Sequence, residues 1–164
     1  MRLAIFSTTK NNEDTIEFWI QWYKERVPIA TFYIYDQDST DNTVKIAEEK
    51  GCVIRQYKYR FKDIEDWKNN CWKNIPTDAI LLTGQNELVE VNPMIFQNCT
   101  IIQAKGYNIK SFKEINKEER NADLDNYCIF DAGSIISTNF ESDRCNPQGF
   151  IRVGEKQVDL YRIK

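Results

Sequence analysis

The chain contains no histidine. Proton transfer in it falls to carboxylates, lysine, tyrosine or cysteine, and any metal would sit on oxygen ligands, which favours Mg2+ or Mn2+ over zinc. No C-x-x-C pair occurs among the five cysteines, Cys52, Cys71, Cys99, Cys128 and Cys145. They are widely spaced and odd in number, which predicts reduced, mostly buried thiols of a cytoplasmic protein. No run approaches the roughly 18 apolar residues that crossing a bilayer needs, so no membrane span is expected. The apolar start, LAIF after Met1-Arg2, is too short for a secretory leader. No basic stripe is set against the net charge of −3, which argues against nucleic acid as the main partner and leaves room for a local basic pocket that takes a phosphate. Internal repeats and low-complexity segments are also missing.

What is present suits one domain with one core. The 164 residues are 41% hydrophobic, 29% charged and 13% aromatic, which supplies core material and carries no signature of disorder. Residues 2–9, RLAIFSTT, read as a buried strand that runs into the polar turn Lys10-Asn11-Asn12-Glu13. Ile16, Trp19, Ile20, Tyr23 and Val27 then recur at helical spacing. Asn12, Glu13 and Asp14 suit the cap and first turn of that helix, and Pro28 ends it. TFYIY at 31–35 is a second strand. Val44 and Ala47 give the next helix a thin apolar stripe, with Gly51 placed just past its end. CVIRQY at 52–57 is a third strand.

YKYRFK at 57–62 is a basic, aromatic loop, either solvated over packed rings or in contact with a phosphate or sugar. Residues 63–74 form a helix with Ile64, Trp67, Cys71 and Trp72 inward, closing at Ile75-Pro76. AILLT at 79–83 is a fourth, strongly buried strand that ends on Gly84-Gln85-Asn86-Glu87. Beyond Asn92 the pattern changes. A short helix over NPMIFQN is expected first. Strands CTIIQAK and YNIKSFKEI, joined by Gly106, and a polar loop over 116–126 follow. YCIFD and SIISTN form a hairpin across Ala132-Gly133, and two short strands lie in FIRVGEKQVDLYRIK. The first half is thus β-α-β-α-β-α-β, the pattern of a mostly parallel sheet with helices on both faces, and the second half is β-rich.

The densest chemistry lies where the second strand meets its helix. In YDQDSTDNT, Asp36, Asp38, Ser39, Thr40 and Asp41 cluster at the carboxyl end of a strand, where open α/β sheets place ligands. A calcium loop does not fit, because position six would be Asp41 where glycine is required and position twelve Ala47 where glutamate is required. A DxDx(T/V) phosphotransferase motif matches at Asp36-Gln37-Asp38-Ser39-Thr40, with Asp36 as nucleophile and Asp38 as acid/base. No later acidic pair completes its metal site. At least one of Ser39, Thr40 and Asp41 is expected to act as a plain helix cap.

Taken together, KNNEDTIEFWIQWY, FYIYDQDSTDNTVKIAEEKGCVI and AILLTGQNELVEV resemble a family-2-like glycosyltransferase of the GT-A fold. The resemblance covers residues 2–91 in the right order. It implies a single GT-A domain, with 1–91 as the nucleotide-binding half and 92–164 as a reduced acceptor-side half. It implies transfer of a sugar from a UDP-type nucleotide-sugar to an unknown acceptor. Thr9, Glu13, Asp36, Asp38 and Ser39 would then bind the nucleotide, with Asp36 accepting from the base. A weakly held Mn2+ or Mg2+ would sit on Asn86 and Glu87. A carboxylate of the second half would act as base toward the acceptor, with Asp143 preferred over Asp123, Asp125 and Asp131.

The chain departs from the family at its fourth strand, where the metal-binding D-x-D falls on Gly84-Gln85-Asn86. The histidine that relatives often carry in later loops is also gone. A second reading is therefore an inactive relative that binds nucleotide or a protein partner. Arg60, Lys62 and Lys68 are alternative sources of positive charge for the diphosphate.

Overall fold

The computed structural model describes residues 2–58, 63–91, 101–109, 119–120, 128–131 and 155–163. Residues 59–62 of the expected YKYRFK loop, the short helix NPMIFQN, most of the 116–126 loop, the turn at Ala132-Gly133 and the strand SIISTN lie outside the described residues. So do Asp123, Asp125, Asp143, Cys99 and Cys145.

The first half builds strand, helix, strand in alternation: β1 (Leu3–Thr9), α1 (Glu13–Arg26), β2 (Thr31–Asp36), α2 (Thr43–Glu49), β3 (Val53–Gln56), α3 (Ile64–Asn70) and β4 (Ala79–Leu82). After β5 (Glu87–Val89) come β6 (Ile101–Ile109), β7 (Glu119–Arg120), β8 (Cys128–Asp131) and β9 (Glu155–Ile163). All nine described strands join one sheet, ordered β3-β2-β1-β4-β8-β6-β9-β5, with β7 on β6. The β3-β2-β1-β4 segment is parallel throughout. Strand β8 then pairs antiparallel to both β4 and β6, and β6 runs parallel to β9.

Right-handed crossovers place the helices. The chain steps from β1 to β2 to β3 in one direction, so α1 and α2 share a face. It steps back over two strands to reach β4, so α3 lies on the other. The rings agree. Phe32 meets Trp19 of α1 edge-on at 6.1 Å, whereas Tyr35, of opposite parity on β2, meets Trp67 of α3 at 5.4 Å. Strand β4 is buried at every residue, as its unbroken apolar run predicts. Trp19, Tyr23, Phe6 and Ile5 are among the largest fully buried side chains. Burial of each such side chain contributes about 1.5–3 kcal/mol.

Element ends follow local chemistry. Helix α1 has Glu13 and Asp14 in its first turn and Lys24 and Arg26 in its last, matched to the helix dipole. It stops at Val27, which leaves the helical region at φ −136 and ψ 71 ahead of Pro28, a residue that disfavours helical backbone before it. Gly51 closes α2 at φ 75. Its N–H reaches the Glu48 carbonyl at 2.8 Å and the Cys52 N–H reaches that of Ala47 at 3.0 Å, the paired bonds of a Schellman stop.

Two expectations are corrected. Helix α3 ends at Asn70, four residues early, and a turn carries the chain to Asn74 at φ 67. Strand β6 runs unbroken through Gly106, because its backbone pairs with β9 from Ile101 to Ile109 and leaves no turn there. Residues Glu155–Ile163 form a nine-residue strand held by the same pairing, and residues 150–154 of FIRVGEKQVDLYRIK lie outside the described residues.

Candidate functional site

The sheet register brings three strand ends level. Thr9 of β1 pairs with Asp36 of β2, which pairs with Gln56 of β3. The turns leaving β1 and β2 are then tied to each other. Asn11 Oδ1 accepts from the Thr40 N–H at 2.8 Å, and the Asn11 N–H donates to Ser39 Oγ at 3.0 Å. Both Asn11 and Asp38 take the left-handed backbone, at φ 51 and 57. Asparagine and aspartate tolerate that region better than most residues.

The two helices on this edge exchange caps. The Glu13 carboxylate accepts from the N–H of Asn42, 2.9 Å away, at the start of α2. In return Asp41 accepts from the Glu13 N–H at 3.2 Å, and Thr43 Oγ1 accepts from the Asn12 N–H at 2.7 Å. Asn12, the expected cap, makes no capping bond with its side chain; its Nδ2 donates instead to Thr9 Oγ1 at 3.0 Å. Desolvation of the Asp41 carboxyl is outweighed by donors from Thr43 and the Glu13 N–H, so its pKa lies below the ordinary value.

Asp36 is buried, and both its carboxylate oxygens accept from the Ser39 N–H, at 3.3 and 3.2 Å. The Gln56 amide approaches the same carboxylate at 3.4 Å. Beside this turn lies an open cavity of about 280 Å3 lined by Lys10, Gln37, Asp38, Tyr57 and Lys58. Its wall draws on the segments that follow all three strands. The Tyr57 ring is backed by Tyr35 and Trp67, and its hydroxyl donates to the Asp63 carbonyl at 3.0 Å.

On the far side of β1, the β4–β5 turn is fixed by α1. Trp19 Nε1 donates to the Gly84 carbonyl at 3.0 Å, and the Tyr23 hydroxyl donates to that of Glu87 at 3.2 Å. Tyr23 Oη also accepts from the Val89 N–H at 2.9 Å. Burial pushes the Tyr23 phenol pKa far above its ordinary value, so it stays protonated. Glu87, itself buried, accepts from the Gly84 N–H at 2.8 Å. A Cβ on Gly84 would stand 3.0 Å from Asn86 Oδ1 and 3.3 Å from Glu87 Oε2, so side chains at 84, 86 and 87 converge. Gln85 is buried between them in sequence, and neither amide atom has a hydrogen-bond partner among the described residues.

This donor set does not fit a tightly held divalent cation. Mg2+ and Ca2+ sites take six or more oxygens, usually with more than one carboxylate unless substrate phosphates help. Here there is one carboxylate, already bonded to a backbone N–H, and one neutral amide. No cluster of three histidine, cysteine or acidic residues occurs among the described residues.

Thr9, Glu13, Asp36, Asp38 and Ser39 therefore gather on one edge of the sheet, while Asn86 and Glu87 occupy the neighbouring turn. Gln37, Gln56, Lys10 and Asn11 belong to the same edge and were not singled out by the sequence. The signal that finds them is position, since each lies at or just beyond a strand end level with Asp36. Of the YKYRFK loop, Tyr57 and Lys58 are described, and both line the cavity.

Comparison with known proteins agrees with this architecture. No protein-family model matches the chain. The crystal structure of S. aureus TarS 1-349 superposes with a TM-score of 0.67 at 12% identity, over 99% of this chain and 60% of that one. The same TarS segment in complex with UDP-GlcNAc gives a TM-score of 0.67 at 13% identity, over 100% of this chain and 59% of that one. In sequence, the chain is 28% identical to the Shigella flexneri protein RfbJ over 60 residues, which are 37% of this chain and 46% of RfbJ. The chain thus spans about three-fifths of the TarS segment that it matches. Its fold is the GT-A fold, as the resemblance of residues 2–91 implies. No helix among the described residues is long and apolar enough to cross a membrane.

Proposed function

We propose that the carboxyl edge of β1, β2 and β3 binds a UDP-type nucleotide-sugar, and that the protein is a glycosyltransferase-like transferase acting on an unknown acceptor. The observation that carries this reading is the Asp36–Ser39 turn beside a cavity walled by all three strand ends, on a GT-A fold. The buried carboxylate accepts from the base, Thr9 and Ser39 shape the pocket, Asp38 meets the ribose, and Glu13 holds the α2 end in place. A TarS structure with the same fold was solved with UDP-GlcNAc, which supports a nucleotide-sugar as the ligand class. Residues 1–91 are the nucleotide-binding half and 92–164 the acceptor-side half, where Asp143 would take the proton of the attacking hydroxyl.

The phosphotransferase alternative is not favoured. It needs a metal site of further acidic residues beside Asp36 and Asp38, and among the described residues no cluster of three histidine, cysteine or acidic side chains occurs. The loss of D-x-D at Gly84-Gln85-Asn86 favours, as a second reading, a relative that binds nucleotide without turning it over. Calorimetric titration with UDP tests the shared premise. Asp36→Asn, which keeps one acceptor oxygen for Ser39, is expected to weaken UDP binding by about tenfold or more, the scale of one hydrogen bond to a charged group. Unchanged affinity would remove Asp36 from the site.

A further inference from the structure

We infer that this chain meets the phosphate charge of its nucleotide with the ammonium groups of Lys10 and Lys58, so that nucleoside diphosphate binding is independent of a divalent cation. The inference rests on the nucleotide reading of the cavity and adds the source of its countercharge. Two independent observations lead to it.

The first is the β4–β5 turn. A diphosphate carries several negative charges, and the turn that would hold a bridging cation offers one carboxylate and one neutral amide. Glu87 spends an oxygen on the Gly84 N–H, and Gly84 has no side chain to give. Gln85 is buried and could add only a neutral amide oxygen, a weaker ligand for a hard cation than a carboxylate.

The second is the cavity wall. Among the described residues its charged side chains are Lys10, Lys58 and Asp38, two cations against one anion. Neither lysine forms an ion pair or a side-chain hydrogen bond among the described residues, so each ammonium keeps its full donor capacity for a ligand. Placement matters as much as charge. Strand β1 lies between β2 and β4 in the sheet, and Lys10 is the first residue beyond it. A nucleotide with its base at Asp36 on β2 and its phosphates directed toward the Gly84 turn after β4 passes over Lys10. Lys58 reaches the same cavity from the end of β3. Lysine binds phosphate as a compact point charge and needs no fixed fork geometry, so exposed, mobile ammonium groups serve this purpose.

The test compares UDP with uridine, each titrated into wild type and into Lys10→Gln/Lys58→Gln, in EDTA and again with Mn2+. Both lysines are exposed, so the double variant is expected to fold, which circular dichroism checks. In EDTA the wild type should prefer UDP to uridine by about tenfold per charged contact, and the double variant should lose most of that preference while binding uridine as before. Mn2+ should change UDP affinity by less than about twofold, and added salt should weaken UDP and leave uridine almost unaffected. An affinity for UDP that rises tenfold with Mn2+, or a preference for UDP that survives in the double variant, overturns the inference while leaving the nucleotide site intact. Failure of the wild type to bind either compound overturns the inference together with the reading beneath it.

Discussion

Asp38 takes a left-handed backbone, φ 57, in a turn where Asn11 opposite does the same at φ 51. Glycine fits that region without the steric cost that an L side chain meets. The Asp38 carboxylate lines the cavity. If the aspartate is kept for binding, stability and binding should move in opposite directions. Asp38→Gly is expected to leave thermal stability equal or raise it by up to about 1 kcal/mol. It should lower UDP affinity by roughly fivefold, as loss of a hydrogen bond does. Thermal melts and calorimetry on the same preparation check the pair; a variant that melts lower and binds equally well would mean that the residue serves the turn alone. A different kind of residue is Cys52, whose thiol is pushed up to about 11 by burial, against a smaller opposite pull from Lys24. It is protonated at neutral pH and has little thiolate to offer as a nucleophile.

At the scale of elements, much of the first half was readable and the reason is periodicity. The bounds of α1 follow from apolar residues at helical spacing with Pro28 behind them, and β4 follows from AILL, an apolar run too short for a helix. The exchange of caps between α1 and α2 was not readable. Asn12 looks like a cap in sequence, yet the groups exchanged between these helix starts come from residues 28 to 31 positions away, which only the parallel pairing of β1 with β2 brings near. Strand β6 was misread at Gly106 for the same reason. A glycine inside a strand reads as a break until a partner strand is seen to pair across it.

The β4–β5 turn gives the element-scale prediction. Because a Cβ at position 84 would face Asn86 and Glu87, Gly84→Asp with Asn86→Asp sets three carboxylates together. The double variant is expected to lose about 1–2 kcal/mol of stability without metal, through like-charge crowding. It should regain that stability with Mn2+, read as a rise in melting temperature that the wild type does not show. No rise would mean that these positions do not converge on a cation.

For the whole molecule, the parallel β3-β2-β1-β4 sheet determines which loops meet. Each crossover returns the chain so that strand after strand ends on one edge, and Thr9, Asp36 and Gln56 become neighbours although 27 and 20 positions separate them (36 − 9 and 56 − 36). The acidic turn could therefore be found in the sequence as YDQDSTDNT, while Lys10, Gln37 and Gln56 could not, since lysine and glutamine are common on any surface and only the register gives them a role. The most direct test of the account is the crystal structure of the protein grown with UDP in EDTA. The account predicts the base against Asp36, the ribose by Asp38, and the diphosphate running past Lys10 toward the Gly84–Glu87 turn. A nucleotide bound elsewhere, or none at saturating concentration, would contradict it.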